Sequence, residues 1–230
     1  MLRTQRVLPY LLASLIVVFL ALPSWGASAG DEETIRNATT ILQAMVATNG
    51  IPPSVLAKAD CLVILPSVKK FAVGIGGTGG RGPMICREGT NFSGKWSPPA
   101  MYSIGGASAG LQVGGKASDI VIAVMAPTAA DRVLNSKVKV GTDVSAAAGP
   151  GASAGSFGTS ADMLTYSRSS GLFAGASIDG ASLDPDSKAN ERLYGKPVSA
   201  KEILSGGSVK ATPAGQSLVS LLNSKLSKHE

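Results

Sequence analysis

The sequence predicts an α+β domain: a central, mostly antiparallel sheet rich in Gly, Ala and Ser, able to curl toward a barrel, flanked by N- and C-terminal helices. Three observations carry this reading. Helical periodicity is confined to the two ends and a few short internal pieces. Between them lie short β-branched and small-residue runs separated by glycine turns. Strand patterns nowhere alternate with long helical ones, as a parallel βαβ sheet would require. The chain has 230 residues, 28 of them glycine, enough for one full-sized domain whose strands pack closely.

Residues 1–29 read as a secretory leader. Arg3 and Arg6 precede an apolar stretch, Val7 to Leu22, and Ala27-Ser28-Ala29 offers a small-x-small cleavage site. The competing reading is a retained anchor, although the stretch falls short of the ~20 residues of a membrane span. No cysteine lies near the cut, which excludes a lipoprotein anchor. Cleavage near Ala29 leaves residues 30–230 as a single exported domain, periplasmic or secreted. Its core is expected over about 35–205 and its last helix over about 215–228.

The first mature helix spans Asp31 to Thr48, where Ile35, Ala38, Ile41, Leu42, Met45 and Val46 recur at helical spacing. Asp31, Glu32 and Glu33 occupy its first turn, where the dipole favours acids, and Asn49-Gly50 ends it. Pro52-Pro53 opens a short helix to about Lys58. From Cys61 the period changes: "CLVILP", "KKFAVGIGG", "GPMICREG" and the runs that follow read as short strands. Pro127 opens one or two helical turns. Ser199 and Glu202 form a capping box. Leu218, Val219, Leu221, Leu222 and Leu226 make an apolar stripe on the closing helix. Asp184-Pro185-Asp186 reads as a turn.

Charge and cysteine usage narrow the function. Taking Arg3 and Arg6 from the formal +6 leaves +4, mildly basic and scattered. That permits an anionic partner, while Trp96 is the single tryptophan of the mature chain, a poor stock for stacking nucleic-acid bases. Cys61 and Cys86 are an even pair in an exported chain, read as a disulfide or as two separate buried thiols. No further Cys or His sits nearby to complete a metal shell.

Two motifs imitate enzymes. Gly74, Gly76 and Gly79 have the G-x-G-x-x-G spacing, but a dinucleotide needs a helix to begin at that loop. "RGPMICREG" follows instead, and Glu88 comes too early and Asp119 too late for the ribose carboxylate. "GASAG" places Ser108 and Ser153 in G-x-S-x-G, yet the sole histidine is His229, beside the C-terminus. Asp184 and Asp186 lack the companions of a calcium loop. The expectation is no enzyme, no cofactor, no metal, no nucleotide and no nucleic acid. What remains is basic: pairing of residues 61–73 with 81–87 would set Lys69, Lys70 and Arg81 around one turn, where they could meet phosphate oxygens. A solvated face is the competing reading of the same charges.

Five stretches in order, "ADCLVILPSVKK", "GKWSPPAMYSIGGASAGLQVGGKASDIVIAVM", "GTDVSAAAGP", "TYSRSSGLFAGASIDG" and "ANERLYG", resemble the SYLF domain, also called the Ysc84 actin-binding domain. The resemblance covers about residues 35–205, and Cys61 and Cys86 fall where exported bacterial members look to carry a pair. It implies a non-enzymatic lipid-binding domain; eukaryotic members bind phosphoinositides, and some bind actin. On that basis Lys69, Lys70, Arg81, Arg87 and Arg168 are the expected contacts to anionic phospholipid or a membrane surface, with an envelope protein partner as the alternative. Two departures subtract cations: Ser170 and Ala152 stand where many members carry basic residues. The helix at 31–48, with three acids and Arg36 alone against them, is a poor basic membrane helix.

Overall fold

The computed structural model describes residues 25–73, 75–108, 116–149, 161–169, 172–175, 178 and 180–225. The opening helix α1 (Trp25–Ala47) begins before the expected mature start, so Asp31 lies in its second turn. It is followed by α2 (Pro53–Lys58) and four strands, β1 (Cys61–Val73), β2 (Ile75–Cys86), β3 (Ala100–Ser108) and β4 (Lys116–Val124). After α3 (Pro127–Asn135) come β5 (Val138–Lys139), β6 (Ala146–Ala148), β7 (Met163–Ser169), β8 (Leu172–Gly175) and β9 (Ser182–Pro185). The chain closes with α4 (Ser187–Tyr194), α5 (Ala200–Leu204) and α6 (Pro213–Lys225). Most of the expected leader, Ser153 and His229 fall outside the described residues. Among the described residues no helix is long and apolar enough to cross a membrane.

The strands form one sheet in the order β5-β9-β3-β2-β1-β4-β7-β6, with β8 beside β7; every pairing is antiparallel except β6 with β7. The two ends of that order, β5 and β6, are joined by residues 140–145 alone. Seven inter-strand steps across a flat sheet would separate them by about 34 Å. The link reaches about 25 Å even when fully extended. The sheet therefore curls, and a bridge between Val140 and Val144 brings the edges back toward each other.

Curling makes two cores from one sheet. Side chains alternate along β1: Cys61, Val63, Leu65 and Val68 face one core with Tyr102, Ile120 and Ile122. Helices α3 and α5 fill that side through Ala130, Val133, Ile203 and Leu204. Leu62 and Ile64 face the other way, with Ile85, Met101 and Val121, under Ile35, Leu42 and Met45 of α1 and Leu218 and Leu222 of α6. A strand buried on both faces reads as a continuous apolar run, which is why "CLVIL" lacks alternation. Cys61 and Cys86 lie opposite each other in the β1–β2 register and form a disulfide, with both residues fully buried.

One irregularity shapes the site. Between the pairs Val63–Met84 and Lys69–Gly79, six residues of β1 run against five of β2; between Leu65–Ile120 and Val68–Ser118, three run against two of β4. The extra residue is a bulge at Pro66-Ser67, where Ser67 adopts φ +51°. Proline is tolerated there because the ladder is already broken. The freed Ser67 N–H donates to Asp119 Oδ1 of β4 at 3.0 Å.

The region around Asp184 corrects the sequence reading. Ser182–Pro185 is a strand, and Asp186 is the N-cap of α4, accepting a hydrogen bond from the Ala189 N–H at 3.0 Å. The capping box at Ser199 and Glu202 forms as expected.

Candidate functional site

The bulge opens a cleft of about 320 Å³ between α1 and the β1–β2 hairpin. Pro66, Ser67 and Lys69 form its β1 wall, and Gly79, Gly80 and Arg81 its β2 wall. Thr34 and Asn37 close it from α1. Lys69 is exposed. Arg81 is 40% exposed at its side chain, with Nη2 donating to Asp31 Oδ1. The lining carries two cations, three neutral polar side chains and no acid.

Behind the cleft sits a carboxylate that sequence reasoning misplaced. Asp31 belongs to the buried stripe of α1, not to a solvated first turn: its side chain is 0% exposed. Its spacing to Ile35, Ala38 and Leu42 (four, seven and eleven residues on) was the available signal. Arg192 of α4 grips the same carboxylate, with Nε to Oδ2 at 3.0 Å and Nη2 to Oδ1 at 3.3 Å. That hydrogen bond raises the Arg192 guanidinium above its ordinary value. Helix α4 is itself fixed by buried Asn190, whose Oδ1 accepts the Met101 N–H at 2.6 Å.

Of the five expected contacts, the structure brings Lys69 and Arg81 together. The Lys70 backbone pairs with Thr78, and its side chain lies outside the described residues. Arg168 on β7 faces Asp119, with Nη1 to Oδ2 at 3.9 Å, and Oδ1 of that carboxylate accepts from the Ser67 N–H; Arg168 itself does not line the cleft. Arg87 is elsewhere: 3% exposed, it donates from Nε to the Ala59 carbonyl and stacks 4.5 Å from the centre of the Trp96 ring. Burial lowers its pKa, and neighbouring Asp60 opposes the shift. Such a guanidinium braces the protein interior.

The larger cavity, about 510 Å³, lies between residues 88–98 and the loop before α6. There Glu88 faces Lys95 at 3.9 Å, so its charges are mixed. Gly74 of the glycine motif lies outside the described residues; Gly76 and Gly79 lie in β2, paired to strands on both sides, and β2 continues to Cys86 with no helix starting there. That geometry lacks the helix N-terminus a pyrophosphate would sit on.

Comparison with known proteins sets this chain in a family. The family model described as "Las17-binding protein actin regulator", Ysc84, matches residues 105–225, just over half of the chain. The chain belongs to the Ysc84 family. It is 37% identical over 191 residues to the SH3 domain-containing protein PJ696.02 of Schizosaccharomyces pombe, covering 80% of this chain and 43% of that protein. Protein YSC84 of Saccharomyces cerevisiae is 36% identical over 183 residues, covering 76% of this chain and 38% of its own. The human SH3 domain-containing YSC84-like protein 1 is 33% identical over 187 residues, 78% of this chain and 53% of its own. This Ysc84-family chain thus spans about half, or less, of the length of these curated relatives. No solved structure matches it.

Proposed function

We propose that this Ysc84-family domain is an exported, non-enzymatic binding module for anionic phospholipid head groups, which it contacts through Lys69 and Arg81. The observation that carries the reading is the convergence of those two side chains on one cleft whose lining holds no acid. An ammonium and a guanidinium there suit a phosphate, and the flanking Ser67 and Asn37 suit its oxygens or neighbouring hydroxyls. Each basic residue near an anionic surface contributes on the order of 1 kcal/mol. The test is co-sedimentation with vesicles of rising phosphatidylglycerol content at two salt concentrations. Binding rises with anionic fraction, falls with salt and drops about thirtyfold for Lys69→Glu, which exchanges one attraction for one repulsion. Absence of binding at low salt, or binding indifferent to lipid charge, overturns it.

A second reading is a protein-interaction module. It is favoured by the names of the relatives, among them LAS seventeen-binding protein 3 of Saccharomyces cerevisiae. Pull-down from envelope extracts, with Lys69→Glu as a control and lipid-depleted protein as bait, separates the two. Retention of one defined partner by both wild type and variant supports the second reading over the first.

A further inference from the structure

We infer that Asp31 is the positioning residue of the cleft: its buried carboxylate fixes the Arg81 guanidinium at the rim so that the remaining donors meet an anion in a set orientation. The inference rests on the head-group reading above and specifies how that site is built. Arginine on its long stem loses rotamer freedom when it is immobilised on a ligand. Here the cost is met in folding. Arg192 holds Asp31 from α4 through two nitrogens, and Asp31 in turn holds a single terminal nitrogen of Arg81. Among the described contacts, Nε and Nη1 of Arg81 remain for a ligand. Thr34, one turn after Asp31 on α1, lines the same cleft and donates to the Gly30 carbonyl at 2.8 Å, tying that turn of helix to the site.

The sign of one substitution separates positioning from bulk charge. Asp31→Asn removes a negative charge beside a cationic cleft, so attraction alone would tighten binding. Positioning demands the reverse, a loss of about three- to tenfold in affinity, because the side chain must now be ordered by the ligand. Arg81→Lys supplies the second variant. It preserves charge at a half-exposed position and leaves Asp31 with Arg192, but replaces the planar fork by a point charge.

Vesicles of phosphatidylcholine with phosphatidylglycerol are the probe, and thermal midpoints and circular dichroism check folding. The expected result is weaker binding by both variants, with Asp31→Asn having no further effect in an Arg81→Ala background. A merely structural role would lower the midpoint without that non-additivity. If Asp31→Asn does not fold, Asp31→Glu, which keeps the charge but displaces the carboxylate, takes its place, and a folded Asp31→Glu protein that binds as tightly as wild type overturns the positioning role. If Lys69→Glu and Arg81→Ala weaken binding while Asp31→Asn and Arg81→Lys bind as well as wild type or better, the positioning role is wrong and the head-group reading stands. If Lys69→Glu and Arg81→Ala change nothing, the head-group reading fails and takes this inference with it.

Discussion

The β1–β2 hairpin has two halves that obey different rules. In the half nearer the disulfide, Cys61–Leu65 and Met84–Cys86 are fully buried and serve both cores. Beyond the bulge, Lys69 is exposed and Gly77 to Arg81 are half-buried, the last three of them lining the cleft. Two glycines, one toward each end, differ in what they leave room for. A Cβ on Gly82 would lie 1.9 Å from the Ile64 carbonyl oxygen, where the bulged β1 backbone crowds its partner. A Cβ on Gly79, three residues earlier, would meet nothing within 4 Å. The packed half needs glycine for space, and the open half can do without it at Gly79.

The sharpest way to break this contrast is to substitute both glycines. Gly82→Ala should cost more than about 4 kcal/mol and yield little folded protein, because a backbone carbonyl cannot rotate away as a side chain can. Urea unfolding midpoints check it, and a stable Gly82→Ala protein would erase the distinction. Next in size is the disulfide at the base of the packed half. Replacing Cys61 and Cys86 together by Ala should cost about 3–4 kcal/mol from loop closure over the 25-residue separation.

The buried phenols give a smaller, pH-dependent effect. Burial pushes Tyr166 up to about 12 and also raises Tyr102 and Tyr194. Their stabilising contribution is whole below the unfolded value near 10 and is lost as pH climbs from about 10 toward 12. The unfolded chain releases those protons first, so stability falls by about 1.4 kcal/mol per pH unit per phenol within that window. Thermal midpoints between pH 8 and 11.5, read beside tyrosinate absorbance, should stay level and then descend. The least effect belongs to Gly79→Ala, expected within about 0.5 kcal/mol of wild type by urea midpoint.

How much of this could be read beforehand follows from which contacts are local. The stripe of α1 and the Ser199 capping box were legible because helix periodicity and caps are short-range signals. Helix α4 was missed: Ser187–Tyr194 is mostly polar, with Ala189 and Leu193 its buried apolar residues, and Asp186 looked like a turn residue instead of a cap. The parallel pairing of β6 with β7 joins residues far apart and leaves no periodic trace. At the site, Lys69 and Arg81 emerged from the assumption that their strands pair. Asp31 did not, because an acid near a helix start has a common surface explanation. The interior place of Arg87 was not legible, since its partner Trp96 comes to it across an isolated bridge that spacing does not reveal.

The short link between β5 and β6 has a colloidal consequence. A sheet this wide would ordinarily expose two rows of unpaired amides, ready to template the stacking of neighbouring molecules. Here the first and last members of the strand order are two and three residues long, and they turn back toward each other. At β5 and β6 such blunt margins leave little backbone for a second molecule to zip onto. In a chain with 28 glycines, the two ends of the strand order are thus short segments that close on each other and not long open edges.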